Sequence, residues 1–261
     1  MDLNMKDKVY IVTGGSKGIG EGITRAIIAE GGIVVIATRS TGAVTEDLIA
    51  EIKAQGGEAI AVYGDLQELA NCQKVIEAAV AKYGRIDGIV NNAGMNDGAG
   101  LEKGPEAFRK SVQLNLFHYY DLVHYALPHL KKSKGAIVNV SSKVAFTGQG
   151  GTSGYAAAKG AQLALTRDWA AELLPYSIRV NAVLPAEVMT PLYRKWLDNT
   201  FADPQAKERE ITAKIPLENR MTTKEEMAAM VVFLLSDKSS HTTGQFMVVD
   251  GGYMHLDRAL T

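Results

Sequence analysis

Ser142, Tyr155 and Lys159 are the residue types from which a proton-transfer site can be built. In Tyr155-Ala156-Ala157-Ala158-Lys159 the tyrosine and lysine stand four apart, so on a helix they share one face, a turn from each other. A free phenol titrates near ~10 and is a poor base at neutral pH. An ammonium beside it favours the phenolate. Lowering its pKa by roughly 2–3 units takes ~3–4 kcal/mol, which one cation helped by a second positive charge can supply. Such a tyrosine can take a proton from an alcohol while a hydride leaves the same carbon. Ser142 offers a hydroxyl that could hold the reacting oxygen. A lone Tyr-x-x-x-Lys pair usually decorates a surface helix; its weight here comes from its surroundings.

Those surroundings alternate short apolar runs with helical patterns. Runs at 9–12, 34–37, 59–62, 88–90, 136–140, 179–183 and 246–249 are β-branched and nearly continuous, as strands covered on both faces should be. Helical patterns lie between them at 18–30, 44–55, 68–83, 105–131, 155–174 and 224–235. Gly31-Gly32, Gly56-Gly57 and Gly84 stop the first three. The alternation predicts an α/β, doubly wound Rossmann-type fold: a seven-stranded parallel sheet with helices on both faces, in one domain over 1–261. Only 189–217 breaks the rhythm. An insertion there would lie over the carboxyl ends of the strands, as a substrate lid or as a passive loop.

Composition narrows the class. The chain has 261 residues, 46% of them hydrophobic and 22% charged, with a net charge of −1. That balance gives no reason to expect nucleic acid or an anionic membrane as partner. One cysteine, Cys72, excludes an intramolecular disulfide. The first seven residues hold no apolar stretch, and no apolar run approaches the ~20 residues that cross a bilayer. A soluble, cytoplasmic protein is expected. His118, His124 and His129 make no i,i+4 pair, so no metal site is expected.

The first strand runs into Thr13-Gly14-Gly15-Ser16-Lys17-Gly18-Ile19-Gly20, where a helix begins. Glycines let backbone approach a pyrophosphate, and the helix start supplies N–H donors and the positive end of its dipole. Gly14, Ser16, Lys17, Gly18, Ile19 and Gly20 are therefore expected to bind a dinucleotide. The motif is not a P-loop, because no Gly-Lys-Ser/Thr follows. The second strand ends Ala37-Thr38-Arg39-Ser40 without the acid that would bind a ribose 2′-hydroxyl. Arg39, with Lys17 nearby, could instead pair a 2′-phosphate, so NADP is the preferred cofactor and NAD a possible one. Arg39 stacking on adenine would admit both.

With these elements in place the chain resembles the short-chain dehydrogenase/reductase family over essentially its whole length. Thr13–Gly20 matches the family's cofactor turn. Asp65 and Leu66 after the third strand look like its adenine contacts. Asn91-Asn92-Ala93-Gly94 matches its Asn-Asn-Ala-Gly segment, with Asn92, Ala93 and Gly94 at the cofactor. Asn115 is similar to the helix asparagine that holds a proton-relay water by way of the active-site lysine. Ser142, Tyr155 and Lys159 have the family's spacing, and the last two would also touch the cofactor. Pro185, Val188 and Thr190 match contacts to the nicotinamide. One departure is Pro185-Ala186-Glu187, where the family usually reads Pro-Gly. Within the family the resemblance is to the L-fucose dehydrogenase type of bacterial sugar dehydrogenase, carried by 91–98, 147–150, 185–194 and 250–260.

The resemblance implies more. Asn96, Asp97, Lys143, Gln149, Glu187 and Arg194 would surround the reacting centre. Buried without partners these polar groups would be costly, whereas sugar hydroxyls both donate and accept. A polyol or aldose is the expected substrate, oxidised at C1 to a lactone, with the proton leaving through Lys159, a water and Asn115. Two other readings stand beside it. A carbonyl reductase of the 3-oxoacyl-carrier-protein type would run the same residues in reverse, but Asp97 and Glu187 suit neither an acidic carrier nor an acyl channel. A nucleotide-sensing regulator would usually have lost the tyrosine or lysine. The two long helices, with the exposed-looking aromatics Phe117, Tyr119, Tyr120 and Trp169, form the dimer face in this family, so the resemblance implies a homotetramer, and the segment 253–261, with His255, Asp257 and Arg258, is expected to reach a neighbouring active site.

Overall fold

The computed structural model of the chain describes residues 2–39 and 41–255. The stretch 256–261, on which much of the expected contact to a neighbouring site falls, lies outside the described residues. Seven parallel strands form one sheet: β1 (Val9–Thr13), β2 (Ile33–Thr38), β3 (Glu58–Tyr63), β4 (Gly88–Asn91), β5 (Ala136–Val140), β6 (Arg179–Pro185) and β7 (Phe246–Val249). Their order is β3-β2-β1-β4-β5-β6-β7. The chain winds outward from β1 to β3, then crosses back to place β4 on the other side of β1. That reversal opens a crevice beyond the carboxyl ends of β1 and β4, the usual ligand position in such sheets.

The helices are α1 (Gly18–Ala29), α2 (Ala43–Ala54), α3 (Leu69–Tyr83), α4 (Gly104–Val112), α5 (His118–Ser133), α6 (Ser153–Glu172), α7 (Pro191–Thr200), α8 (Pro204–Thr212) and α9 (Lys224–Leu235). Every side chain of β1 is buried because the strand serves two cores. Val9 and Ile11 join Ile76, Leu122 and Trp169 of α3, α5 and α6. Tyr10 and Val12 join Ile23, Ile52 and Val231 of α1, α2 and α9. This two-sided burial is why the strands read as unbroken apolar runs. α1 and α9 meet at Gly22, where a Cβ would stand 2.7 Å from the Lys224 carbonyl oxygen, so only glycine permits the approach. Gly84 closes α3 with φ at 71°, in the left-handed region.

Two segments differ from the sequence expectation. The helix expected over 105–131 is interrupted: a π-helical turn, Gln113–Phe117, separates α4 from α5. The Asn115 carbonyl in this turn accepts an N–H from the Gln162 side chain at 2.7 Å. A side chain entering a helical ladder is a recognised cause of such a widened turn. The second difference is 189–217, which is not irregular but contains α7 and α8. Thr190 accepts the N–H of Tyr193 at 3.1 Å and Asp203 that of Ala206 at 2.8 Å, each followed by proline at the first helical position. The segment leaves β6 beside Gly18 and returns where Leu217 N–H donates to the Gly251 carbonyl at 3.0 Å. Among the described residues no helix is long and apolar enough to cross a membrane.

Candidate active site

The glycine turn and the end of β4 are clasped together across the reversal. Thr13 Oγ1 accepts the N–H groups of Asn92 and Ala93, both at 2.8 Å, and Asn92 Nδ2 donates to the Thr13 carbonyl at 2.8 Å. Gly14 and Gly18 have φ of 64° and 56°. A Cβ on Gly20 would lie 2.2 Å from the Gly14 carbonyl oxygen, so the turn cannot carry a side chain there. Lys17 occupies the N-cap of α1, and no side chain caps that helix. A tight glycine turn leading into an uncapped helix start fits the pyrophosphate of a dinucleotide. Ile19 is half-buried beside it. Ser16 shares a hydrogen bond with Thr38 at 3.2 Å. Arg39, exposed at the end of β2, leans 3.4 Å from the Asp65 carboxylate that follows β3. Leu66 is buried behind it. Pro185 closes β6, Val188 bridges to Thr222, and Thr190 lies against Gly18.

Ser142 follows β5, and Tyr155 stands in the first turn of α6 with Lys159 one turn on. The fold brings all three together, with the Ser142 hydroxyl on the side of the Tyr155 phenol, where it favours the phenolate. Lys159 is buried; its Nζ donates to the Val140 carbonyl at 2.8 Å, to Gln162 Oε1 at 3.3 Å and to the Tyr119 hydroxyl at 3.4 Å, and lies 5.4 Å from the Tyr155 ring centroid. Burial pushes the phenol up to about 12, against the pull of the Ser142 hydroxyl. Burial also draws Lys159 down to about 7. The lowered tyrosine expected from the sequence is thus not a property of the protein alone: desolvation dominates both groups. Asn115 is fully buried. Its Oδ1 accepts Met95 N–H at 2.8 Å, and its Nδ2 donates to Ser111 at 2.9 Å. The Asn115 carbonyl accepts from Gln162 Nε2 at 2.7 Å. Gly94 must be glycine, since a Cβ there would stand 2.7 Å from Asn115 Oδ1.

His118, just after the π-helical turn, supports this region. It is buried, and its Nε2 lies 3.1 Å from the Ala93 carbonyl, which makes that nitrogen the donor. Nδ1 is buried without a partner among the described residues. Burial lowers its pKa from 6.5 to about 4. A base whose folded pKa lies below its unfolded value stabilises the fold above the unfolded pKa. That contribution is lost as pH falls, because the unfolded chain takes up the proton first. Between pH 6.5 and 4 the protein should lose up to about 3 kcal/mol through this residue, at about 1.36 kcal/mol per unit. Denaturant titrations of His118→Gln across that window should show a flatter decline than wild type. Parallel curves would mean that the carboxylates alone cause the acid loss.

The expected substrate residues divide. Lys143 and Glu187 form an ion pair, each side chain 12% exposed. Tyr193 donates its hydroxyl to Glu187 at 2.7 Å, and the Tyr253 ring lies 4.4 Å from Lys143 Nζ. Neither tyrosine is expected from sequence patterns. Asp97 and Arg194 are occupied elsewhere. Asp97 accepts from Ser111 at 2.8 Å and from Ala99 N–H at 3.3 Å, tying its loop to α4. Arg194 pairs with Glu208 of α8 and with Asp198, holding α7 and α8 together. Asn96 accepts from Thr152 and from Gly98 N–H, and Gln149 is exposed.

A dinucleotide turn at the reversal of a parallel sheet, with serine, tyrosine and lysine converging beside it, defines a nucleotide-dependent oxidoreductase. The chain belongs to the short-chain dehydrogenase/reductase family, whose dehydrogenases use nicotinamide cofactors. A family model described as enoyl-(acyl carrier protein) reductase matches residues 14–254. L-fucose dehydrogenase of Rattus norvegicus is 37% identical over 250 residues, 94% of this chain and 88% of the relative. The 3-oxoacyl-[acyl-carrier-protein] reductase of Thermotoga maritima is 34% identical over 252 residues, 96% of this chain and 99% of the relative. The crystal structure of Cj0485 dehydrogenase aligns with a TM-score of 0.94 at 46% identity, covering 99% of this chain and 98% of that one.

Proposed function

We propose that the protein is a sugar dehydrogenase that oxidises an aldose such as L-fucose at C1 to the lactone, with NADP preferred over NAD. The observation that carries this reading is the Lys143–Glu187 pair with Tyr193, one residue beyond Ser142 in sequence at its lysine end. A partly buried ion pair is costly beside an acyl chain, whereas sugar hydroxyls can donate to the carboxylate and accept from the ammonium. The kinship with L-fucose dehydrogenase supports the same reading. A nicotinamide cofactor with its pyrophosphate on the glycine turn would supply the hydride acceptor and, when oxidised, a positive charge. Ser142 holds the anomeric oxygen, Tyr155 takes its proton, and Lys159 stabilises the phenolate so formed. Asn115 fixes the turn beneath them. Gly14, Ser16, Lys17, Gly18 and Asn92 bind the cofactor's phosphates and ribose, and 189–217 closes over the sugar. Tyr119 and Trp169, expected to be exposed, are buried in the core, but the exposed Phe117 and Tyr120 are in keeping with a homotetramer, and a cytoplasmic location accords with the charge and composition.

The test is reduced-nicotinamide absorbance with NADP⁺ and NAD⁺ against L-fucose, D-arabinose, L-galactose and other aldoses. Turnover confined to a few sugars supports the proposal. Silence across the panel, with NADPH oxidation by an oxoacyl thioester, would move the reading to the reductase type.

Arg39 is the residue on which the NADP preference rests. Arg39→Ala should lower kcat/KM with NADP⁺ by about 10–100-fold, the worth of a charged hydrogen bond of roughly 1.5–3 kcal/mol. The NAD⁺ reaction should change little. Equal losses with both cofactors would assign Arg39 to stacking on adenine.

A further inference from the structure

Behind Lys159 lies a polar chain within the protein core. Asn91 Nδ2 donates to Asn139 Oδ1 at 3.0 Å, Asn139 Nδ2 to Thr166 Oγ1 at 2.9 Å, and Thr166 Oγ1 to the Gln162 carbonyl at 2.8 Å. All four residues are fully buried. Gln162 sits on α6 three residues after Lys159 and seven after Tyr155, on the helix face those residues share. Its amide works in two directions. Oε1 accepts from Lys159 Nζ at 3.3 Å, and Nε2 donates to the Asn115 carbonyl at 2.7 Å. An amide suits both partners at once, because its oxygen accepts from the ammonium while its nitrogen, on the other arm, donates to the carbonyl. An apolar residue would leave both groups short of a partner. A carboxylate would satisfy the lysine and set its own lone pairs against the Asn115 oxygen.

We propose that Gln162 is a positioning residue: it holds the Lys159 ammonium between β5 and the Asn115 turn, and so fixes the cation that Tyr155 needs. This rests on the reading of Lys159 and Tyr155 given above. The titratable groups facing Lys159 are Tyr155 on α6 and Tyr119 and His118 on α5. The lysine's neighbours are thus neutral side chains and one carbonyl, which leaves the glutamine oxygen as a principal acceptor.

The proposal is tested by kcat against pH for Gln162→Leu and Gln162→Glu with L-fucose as the sugar. The leucine variant should move the acid limb of oxidation up by about one pH unit and cost about tenfold at neutral pH, with sugar KM within about twofold. The glutamate variant should move the limb the other way. Limbs that coincide with wild type, whatever the melting temperatures do, would overturn the proposal. A second measurement needs neither turnover nor a folded variant. In nitrogen-15-labelled wild-type protein without cofactor, the Gln162 side-chain amide should exchange slowly and shift as Lys159 titrates. An amide signal indifferent to that titration would overturn the proposal even if Tyr155 proves essential. A Tyr155 variant that stays active, with the amide still coupled, would instead remove only the catalytic reading.

Discussion

Tyr155→Phe is expected to lower kcat about 10²–10⁴-fold, the usual worth of a positioned acid–base group, without unfolding the protein. Phenylalanine keeps the buried ring and gives up only the hydroxyl, so the change should alter stability by no more than about 1.5 kcal/mol. Retention of more than a few per cent of activity would remove Tyr155 from the reaction. The pH dependence follows from the same geometry. In the protein alone the phenol is pushed up to about 12 and Lys159 is drawn down to about 7. Near pH 8 both are therefore mostly uncharged. Bringing the phenol to that range takes roughly 5 kcal/mol, at about 1.36 kcal/mol per unit. Each group's ionisation relieves the other's desolvation, so phenolate and ammonium form together and titrate as a pair. The charge of an oxidised nicotinamide favours the phenolate further. Oxidation should rise with pH through the pair's apparent pKa. Lys159→Met should shift that rise upward as well as slow it, and initial rates from pH 6 to 10 would show both.

The fold was legible because burial on both sides of the sheet leaves a strong mark. Val9–Thr13 and Ala136–Val140 could hardly be anything but central strands, and Gly31, Gly56 and Gly84 end helices where only glycine takes a positive φ cheaply. The clustering of Tyr155 and Lys159 was legible because helical spacing puts the two on one face. Less visible was anything set by contacts distant in sequence. The π-helical turn depends on Gln162, some fifty positions away, entering at Asn115. Asp97 and Arg194 carry the right charges for a sugar site, yet Ser111 and Glu208 claim them first. Two of the misses had local signals. Thr190-Pro191 and Asp203-Pro204 are helix starts, an N-cap followed by proline, and α7 and α8 could have been read from them. Gln162 lies at i+3 from Lys159, so helical spacing alone put it within reach of the ammonium.

Breaking the Lys143–Glu187 pair should have the other large effect. Lys143→Met and Glu187→Gln each leave one charge partly buried and unmatched, a loss of about 3–5 kcal/mol when a buried pair loses one member. The single variants should melt earlier and lose about 10²–10³-fold in kcat/KM for the sugar, mainly through KM. That result alone would not separate a binding pair from a strut between the Ser142 loop and the end of β6. The double variant does. Lys143→Met with Glu187→Gln leaves no unmatched charge, so its stability should return close to wild type, while the amide keeps an oxygen for the Tyr193 hydroxyl. If the pair binds sugar hydroxyls, kcat/KM stays low in that stable protein, because a thioether cannot donate to a hydroxyl as an ammonium does. If the pair is only a strut, kcat/KM recovers together with the melting temperature. Measuring both quantities on all four proteins separates the two roles: stability should recover in the double variant, while its kcat/KM should stay at or below that of the single variants.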